Sequence, residues 1–396
     1  MKVLHVIPSM SARDGGPSFA MALIAQGLER AGIEVHIATT QGSEDDRVSS
    51  GQQILSFPRQ TEFYKISLPL VSWLSRNVHA YDLVHIHGLF SFASYAAASK
   101  AKKSGVPYVV RPLGVLNQWG LQNRRRLLKR LSFALIEKRI IANAAAMHYT
   151  SQAEKVEAAQ AGVEKDSYVI PLGVDARPLE HLPNPDRFFS RYPNARGREI
   201  VLFLSRVDQK KGLDRLIRAF AQLNRLRPEA LLVIAGTGES HFVEALRNQS
   251  RALGIADEII WTGFVTGEDK LSAIAAASIF ALPSSSENFG IAAVEALAAG
   301  LPCVLSDQIG IVDDVREYDA GLVTACDDDE LVSALLQLSE NQALRVRLSA
   351  NARRLAAERF SVEAMTRSIT RMYNGVLSER ASGWRQLIPG VTDGRG

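Results

Sequence analysis

Strand and helix patterns alternate along nearly the whole chain, and this alternation constrains the fold more than any other feature. Residues 2–8, KVLHVIP, form an apolar run that ends at a proline. Residues 17–32, PSFAMALIAQGLERAG, repeat apolar side chains with a helical period, and residues 33–40, IEVHIATT, predict a second strand. A strand, a helix and a strand in this order form a βαβ unit, and repeated units predict a doubly wound parallel sheet.

Two such series are present, separated by a segment of different composition. The first extends to a strand pattern at residues 167–171, and the second begins at residues 200–207, IVLFLSRV. Residues 171–199 are rich in proline and show no clear period, as expected of a linker. Ligands of parallel α/β sheets bind beyond the carboxyl ends of the strands, so a cleft between two domains is the expected site.

The length of 396 residues also fits two domains of ordinary size. We therefore predict an α/β protein with two facing Rossmann-like domains, residues 1–175 and 176–364. A C-terminal helix at about residues 365–396 is expected to pack back on the first domain.

Composition argues against several functional classes. Two cysteines, Cys303 and Cys326, are too few for a disulfide framework or a zinc site. The net charge of +4 is compatible with phosphate-bearing ligands or an anionic membrane surface, but it is too weak to indicate nucleic acid binding. No apolar run has the length of a membrane span, and residues 1–10 lack the features of a signal peptide. A cytoplasmic protein is therefore expected.

Two glutamates stand out around a short apolar helix that is predicted at residues 290–299. Glu287 lies just before this helix, and Glu295 is its only ionisable residue. Burial of an unpaired carboxylate is costly, so Glu295 must either face water or have a partner. One interpretation is a solvent-facing stripe. The other is that Glu295 binds ligand hydroxyls while Glu287 lies at a helix N-terminus, where anions bind.

Candidate phosphate-binding groups follow strand patterns in both domains. Gly15 and Gly16 precede Pro17 and a helix, which would let backbone amides approach a phosphate, although an ordinary tight turn has the same pattern. In the second domain, Arg206 follows a strand and Lys211 precedes a helix. Two cations at a strand end suit a diphosphate leaving group, and a solvated charge cluster is the alternative.

Two further strand ends offer binding surfaces of another kind. Gly236 lies in a glycine turn, and Gly263, Phe264 and Val265 combine an apolar surface with exposed backbone that could hold a nucleobase. Each signal is weak alone. Together the strand ends carry groups suited to a base, a ribose and a diphosphate.

Six segments give the chain a resemblance to a known family: DGGPS, DLVHIHG, LSRVDQKKG, AGTGE, WTGFV and SENFGIAAVEALAAGLPCV. The chain resembles family 4 glycosyltransferases of the GT-B fold over nearly its whole length. The last segment resembles the E-x7-E motif of that family and is the most specific of the six. Among family members, the resemblance is to bacterial enzymes that build lipopolysaccharide and exopolysaccharide.

The resemblance implies a role for each candidate residue. Glu295 would bond the ribose hydroxyls of a nucleotide sugar, and Glu287 would lie against the donor sugar near the reacting carbon. Arg206 and Lys211 would clamp the diphosphate, with Gly16 as their backbone partner from the other domain. Sugar hydroxyls and phosphate would meet the backbone amides of Asn288, Phe289, Gly290 and Ile291. The resemblance also implies retention of anomeric configuration and no bound metal or other cofactor, the two cations taking the metal's place.

One position departs from the family pattern. Relatives often read RPHG where this chain reads RPLG, so Leu113 stands where a histidine reaches the donor sugar. Leucine can neither donate nor accept a hydrogen bond, and the contact is therefore missing or supplied by His85, His87 or Arg111. We expect at most one of the two histidines to reach the ligand while the other packs, and His87 is the candidate.

The expected activity is transfer of a hexose from a nucleotide diphosphate sugar to a growing, lipid-linked glycan. UDP is the expected nucleotide of the donor. Two alternatives remain open at this point. The chain could rearrange or hydrolyse a nucleotide sugar, or it could bind one without catalysis.

A basic segment at residues 121–139 suggests a membrane surface as a further partner. Five cations lie within seven residues: Arg124, Arg125, Arg126, Lys129 and Arg130. On a helix, four leucines would form one apolar stripe: Leu127, Leu128, Leu131 and Leu135. We expect this stripe to pack on the first sheet while the basic face attracts an anionic leaflet, which makes peripheral attachment at the inner face of the cell membrane an additional hypothesis.

Overall fold

The computed structural model describes residues 1–11, 16–42, 53–116, 129 and 131–387, with the backbone alone at residue 63 and beyond residue 379. Two compact units are present: Met1–Gly173 together with the chain from Val362 onward, and Val174–Ser361. The sequence-based boundaries, 175 and 364, lie close to the observed 173 and 361. Each unit contains a doubly wound parallel sheet, and the predicted α/β fold is confirmed.

The sheet of the first unit has seven strands in the order β3-β2-β1-β4-β5-β6-β7, all of them parallel. Helices cover both faces of such a sheet, and its central strands are therefore buried over most of their length. The strands are β1 Lys2–Ile7, β2 Glu34–Gln41, β3 Gln53–Pro58, β4 Leu83–His87, β5 Tyr108–Arg111, β6 Ala146–Tyr149 and β7 Ser167–Val169. The helices are Gly16–Arg30, Leu68–Asn77, Phe92–Lys103, Lys138–Asn143 and Gln152–Gln160, with a π-helical turn at Phe133–Glu137 and 3₁₀ turns at Phe63–Lys65 and Val78–Ala80.

The sheet of the second unit has six parallel strands in the order β10-β9-β8-β11-β12-β13. The strands are β8 Glu199–Leu204, β9 Ala230–Ala235, β10 Ile259–Gly263, β11 Ile279–Leu282, β12 Cys303–Ser306 and β13 Leu322–Thr324. The helices are Arg177–Glu180, Asp186–Arg191, Leu213–Leu226, Ser240–Ala252, Gly267–Ala276, Ile291–Ala299, Val312–Glu317, Asp328–Glu340 and Gln342–Arg359. Short 3₁₀ turns lie at Pro193–Ala195, Gln209–Lys211 and Ala256–Glu258.

The C-terminal helix Val362–Leu387 belongs to the first unit, as the sequence predicts. It packs against the helix Gly16–Arg30. The thioether sulfur of Met365 accepts a hydrogen bond from the Gly173 amide at 3.0 Å, and the side chain of Tyr373 is fully buried. The end of the chain therefore completes a core that its first residues begin.

Part of the basic segment lies outside the described residues, including Arg124, Arg125, Arg126 and Arg130 and the first two leucines of the stripe. Lys129 lies over the ring of Phe90, with Nζ 5.9 Å from the ring centroid. Leu131 and Leu135 are 57% and 52% exposed, so the expected packing of the stripe is wrong for these two leucines. In the part of the chain that is described, we find no helix with both the length and the apolar character of a membrane span.

Candidate functional site

A lysine and a glutamate meet at the ends of two neighbouring strands of the second unit. Lys211 ends the 3₁₀ turn that follows β8, Glu287 follows β11, and β8 and β11 are paired in register at Val201 and Ile279. The Lys211 ammonium donates a hydrogen bond to Glu287 Oε2. The two side chains are 12% and 20% exposed, so the pair remains within reach of a ligand.

Backbone contacts hold the loops that carry this pair. The Ser285 amide donates to the Lys210 carbonyl at 2.7 Å, which joins the two loops directly. The Glu287 amide donates to the Gln308 carbonyl at 3.0 Å, and the Gly310 amide donates to the Glu287 carbonyl at 2.9 Å. The peptide units around Glu287 are therefore anchored, which places its carboxylate in one region of space.

Gly212, directly after Lys211, is required by this arrangement. Its φ is +65°, in the left-handed region that glycine adopts without strain. A Cβ atom at this position would collide with the carbonyl of Pro283, in the loop that leads to Glu287. Only glycine lets the two loops approach so closely.

Glu295 has a partner that the sequence did not reveal. It lies on the helix Ile291–Ala299, and the Lys270 ammonium from the helix Gly267–Ala276 donates to its Oε1 at 2.7 Å. The Glu295 side chain is 18% exposed. A solvent-facing stripe is therefore the wrong interpretation, and the ion pair explains how an apolar helix accommodates a carboxylate.

The N-terminus of the helix Ile291–Ala299 lies directly after Glu287. Gly290 is its N-cap residue, with a φ of +91°, and a glycine has no side chain that could cap the first turn. Phe289 is buried and packs edge-on against Phe360, with 5.8 Å between ring centroids. The backbone amides of Asn288, Phe289, Gly290 and Ile291 lie at this N-terminus, and their contact with sugar hydroxyls and phosphate stays a prediction.

The remaining predicted residues of the second unit lie at strand ends. Arg206 is exposed and forms no ion pair with any residue that the structure describes. Burial lowers the pKa of neighbouring Lys210, and the positive charges of Lys211 and Arg206 act in the same direction. This cluster of cations favours a bound anion.

Gly236 and Gly263 lie where β9 and β10 end. The Gly236 amide donates to the Gly263 carbonyl at 2.8 Å, so the two turns are joined. Phe264, the next residue, is 74% exposed, and Val265 is partly exposed. An exposed aromatic ring beside joined glycine turns is compatible with the predicted contact to a nucleobase.

In the first unit, the structure corrects the expectation for His87. Gly16 is the first residue of its helix, and Gly15 lies outside the described residues. His85 and His87 are both fully buried, with ring centroids 4.2 Å apart, so neither reaches a ligand as predicted. Residues two apart on a strand share one face of the sheet, and both histidines therefore point into the same core. Arg111 is also buried, with 2% of its surface exposed.

Sequence models of two glycosyltransferase families match the chain in succession. Residues 15–173 match the glycosyl transferase 4-like domain, and residues 186–355 match glycosyl transferases group 1. The chain belongs to the family 4 glycosyltransferases. Its two parallel sheets are those of the GT-B fold, as predicted.

Among curated relatives of this glycosyltransferase is the phosphatidyl-myo-inositol mannosyltransferase of Mycobacterium leprae, with 34% identity over 53% of this chain and 54% of its own length. The match thus spans about half of that relative. The D-inositol 3-phosphate glycosyltransferase of Streptomyces coelicolor is 27% identical over 72% of this chain and 67% of its own length. HepE of Anabaena, solved in complex with UDP and glucose, has the same fold, with a TM-score of 0.75, 21% identity and coverage of 94% of this chain and 99% of HepE.

Proposed function

We propose that this protein is a retaining glycosyltransferase that moves a hexose from a UDP-linked sugar to a growing, lipid-linked glycan of a bacterial polysaccharide. The observation that carries the proposal is the pair of Lys211 and Glu287 at the adjacent ends of β8 and β11, beside a helix N-terminus. Family membership and the solution of the similarly folded HepE with UDP support it.

In this proposal, the diphosphate of the donor replaces Glu287 as the partner of Lys211, while the pair of Lys270 and Glu295 stays in place. A diphosphate attracts Lys211 together with Arg206, and these cations stabilise the negative charge that grows as the bond to the sugar breaks. Glu287 then loses its lysine and is available to the donor sugar. Glu295 bonds the ribose hydroxyls while Lys270 holds its carboxylate in place. The proposal assigns the neutralising role to the two cations rather than to a metal ion.

Two observations support a lipid-linked acceptor and a place at the inner face of the cell membrane. The exposed leucines Leu131 and Leu135 lie within a basic segment, where apolar side chains and cations together favour an anionic lipid surface. The Mycobacterium leprae relative is named for a phosphatidylinositol acceptor.

The test is nucleotide release from a panel of UDP and GDP sugars, with and without glycan acceptors. A transferase releases nucleotide slowly alone and faster with its acceptor, and the anomeric configuration of the product reports retention or inversion. Equal release without acceptor would indicate hydrolysis or rearrangement of the donor instead. Protection against thermal unfolding without any release would indicate a non-catalytic binder.

A further inference from the structure

Four buried histidines of the first unit form one polar cluster that the proposed function does not use. His5 lies on β1, His85 and His87 lie on β4, and His148 lies on β6, and all are at most 1% exposed. The cluster also includes Tyr373 from the C-terminal helix and Arg111 from the end of β5. We refer to these six residues as the histidine chain: Arg111, His87, His5, Tyr373, His85 and His148.

Each member contacts the next through atoms that can share a hydrogen bond. The separations are 3.5 Å from Arg111 Nη1 to His87 Nδ1, 2.9 Å from His87 Nε2 to His5 Nδ1, and 3.4 Å from His5 Nε2 to Tyr373 Oη. They continue with 2.7 Å from Tyr373 Oη to His85 Nδ1, 3.3 Å from His85 Nε2 to His148 Nδ1, and 3.1 Å from His148 Nε2 to the Ile170 carbonyl.

The Ile170 carbonyl at one end of the chain fixes the proton positions from His148 to His5. The Ile170 carbonyl only accepts, so His148 must carry its proton on Nε2 and, when neutral, accepts through Nδ1. His85 must then donate through Nε2 and accept through Nδ1, which makes the Tyr373 hydroxyl its donor. That hydroxyl has a single proton and therefore accepts from His5 Nε2.

The Arg111 guanidinium at the other end of the chain independently fixes the proton positions of His87 and His5. Arg111 only donates, so His87 must accept through Nδ1 and carry its proton on Nε2. His87 therefore donates to His5 Nδ1, and His5 donates through Nε2 to Tyr373. Both ends of the chain thus require the Tyr373 hydroxyl to accept from His5 and donate to His85. All four histidines are the same Nε2–H tautomer, and all six hydrogen bonds run in one direction.

Neutral rings agree with the surroundings of the chain. Burial lowers the pKa of His5 and of His148 to about 3, and the charge of Arg111 adds to the effect at both. Burial also holds the pKa of His85 and His87 well below the usual range. Burial lowers the pKa of Arg111 to about 10, which leaves the guanidinium charged at neutral pH.

A metal ion is the alternative occupant, because ligand atoms of His5, His85 and His87 lie within 4.8 Å of one another. Two observations oppose it. Every Nδ1 lone pair already accepts a hydrogen bond, so metal binding would break the chain. The guanidinium of Arg111 approaches His87 Nδ1 to 3.5 Å and would repel a divalent cation.

We propose that Tyr373 is a positioning residue that, through the histidine chain, holds the Arg111 guanidinium at the carboxyl end of β5. Arg111 has few other restraints, since its Nε–H finds no hydrogen-bond partner among the described residues and no carboxylate forms an ion pair with it there. Two residues later, Leu113 has a left-handed φ of +63°, a strained backbone conformation of the kind found at functional sites. The chain therefore links the C-terminal helix to a cation at the sheet edge where ligands of such folds bind.

The direct test is nitrogen NMR of protein labelled at histidine and arginine side chains. We expect four of the eight histidines to be fixed Nε2–H tautomers that do not titrate near neutral pH, with His36, His79, His181 and His241 as internal references. We also expect a slowly exchanging Nη1–H signal from Arg111, the group that donates to His87. Nδ1–H tautomers or averaged signals in the wild-type chain would overturn the proposal.

Tyr373→Phe cuts the chain at its centre, and Tyr108→Phe is the matched control. The Tyr108 hydroxyl is also buried, and it donates to the Ile140 carbonyl at 2.7 Å, outside the chain. Tyr373→Phe should shift the ring signals of His5 and His85 and accelerate exchange of the Arg111 Nη1–H by about tenfold or more, the ratio that loss of one net hydrogen bond implies. Tyr108→Phe should leave these signals unchanged, and equal effects of the two variants would contradict the positioning role.

Cobalt titration tests the metal alternative, because Co²⁺ bound by three histidines absorbs visible light. We expect no absorption with the wild-type chain. A spectrum that appears at one equivalent and is lost in His5→Asn would replace the histidine chain with a metal site.

A kinetic measurement extends the test and rests on the proposed function. Tyr373→Phe should lower kcat of sugar transfer about tenfold more than Tyr108→Phe, because a displaced guanidinium misplaces whatever it contacts. Equal losses would contradict the positioning role. If neither the wild-type protein nor the variants transfer sugar, the proposed function fails. The NMR result still decides whether Tyr373 positions Arg111.

Discussion

The sheets of the two units end in polar groups that are stabilised in opposite ways. In the second unit, Lys211 and Glu287 form a charged pair that is partly open to solvent. In the first unit, His87 and Arg111 end adjacent strands within a buried chain of neutral rings and one cation. A charged pair near solvent can exchange one partner for a ligand, whereas each buried link that breaks leaves two groups unpaired. The open pair therefore suits the ligand exchange that we propose for the second unit, and the buried chain suits the fixed positioning that we propose for the first.

The largest expected effect is acid destabilisation of the first unit. Burial is the main cause that holds the pKa values of the four histidines below the ordinary 6.5, and the charge of Arg111 acts in the same direction. The charge of Glu154 acts on the Arg111 guanidinium and raises its pKa, against the larger effect of burial. The unfolded chain therefore binds more protons below pH 6.5, and stability is lost as the pH falls through that value. At pH 5.5 each histidine should cost about 1.4 kcal/mol of unfolding free energy, and the four together at most about 6 kcal/mol.

Thermal unfolding between pH 5 and 8 measures this effect, and two variants control it. His148→Gln keeps a donor and an acceptor but cannot titrate. The number of protons taken up on unfolding at acid pH should therefore fall by one. His241→Gln, at an exposed position of the second unit, should leave it unchanged. Stability that is flat from pH 8 to pH 5 would contradict the buried neutral chain.

The second largest effect concerns the pair of Lys211 and Glu287. Glu287→Gln should reduce turnover by about 10²–10³-fold, the range for loss of one group that acts in the transition state. UDP affinity should change little, because the proposed contact of Glu287 is with the sugar. Glu268→Gln, at an exposed acid of the same unit, is the control. Steady-state kinetics and calorimetry with UDP separate the two quantities.

Glu295→Ala should have the complementary and smaller effect. Loss of the ribose contact should weaken UDP binding about tenfold, as expected for one hydrogen-bonded charge. Turnover at saturating donor should fall less than in Glu287→Gln. Interchangeable effects of the two substitutions would mean that the assigned roles are wrong.

The smallest effect concerns attachment to membranes through the exposed leucines of the basic segment. Replacing Leu131 and Leu135 with serine should weaken sedimentation with anionic vesicles by up to about tenfold, because two exposed leucines lose their apolar contact. Leu226→Ser is the control, since Leu226 is 64% exposed in the second unit. Added salt should release the wild-type chain, and binding to neutral vesicles should be weak. Equal sedimentation of all variants would argue against membrane attachment through this segment.

Sequence patterns predicted the fold well because alternation of strands and helices is a local property. They predicted Glu287 and Lys211 as site residues but not the pair that Glu295 forms with Lys270, because no short-range pattern relates two separate helices. The expectation for His85 and His87 failed because the period of a strand places both on one face.

The histidine chain could not be predicted at all from the sequence. Its middle link joins His85 to Tyr373, which is 288 residues away. Proton positions in the chain follow from its two ends together, so no single residue reveals them.

The return of the C-terminal helix to the first unit has a consequence for synthesis of the chain. Residue Tyr373 is translated 368 positions after His5, its neighbour in the folded core. The first unit therefore cannot close its core on the ribosome until the helix that carries Tyr373 has been synthesised, whereas Val174–Ser361 is available to fold earlier. The usual order, in which the N-terminal domain matures first, is reversed, and the nascent first unit is the part of the chain that a chaperone must protect for longest.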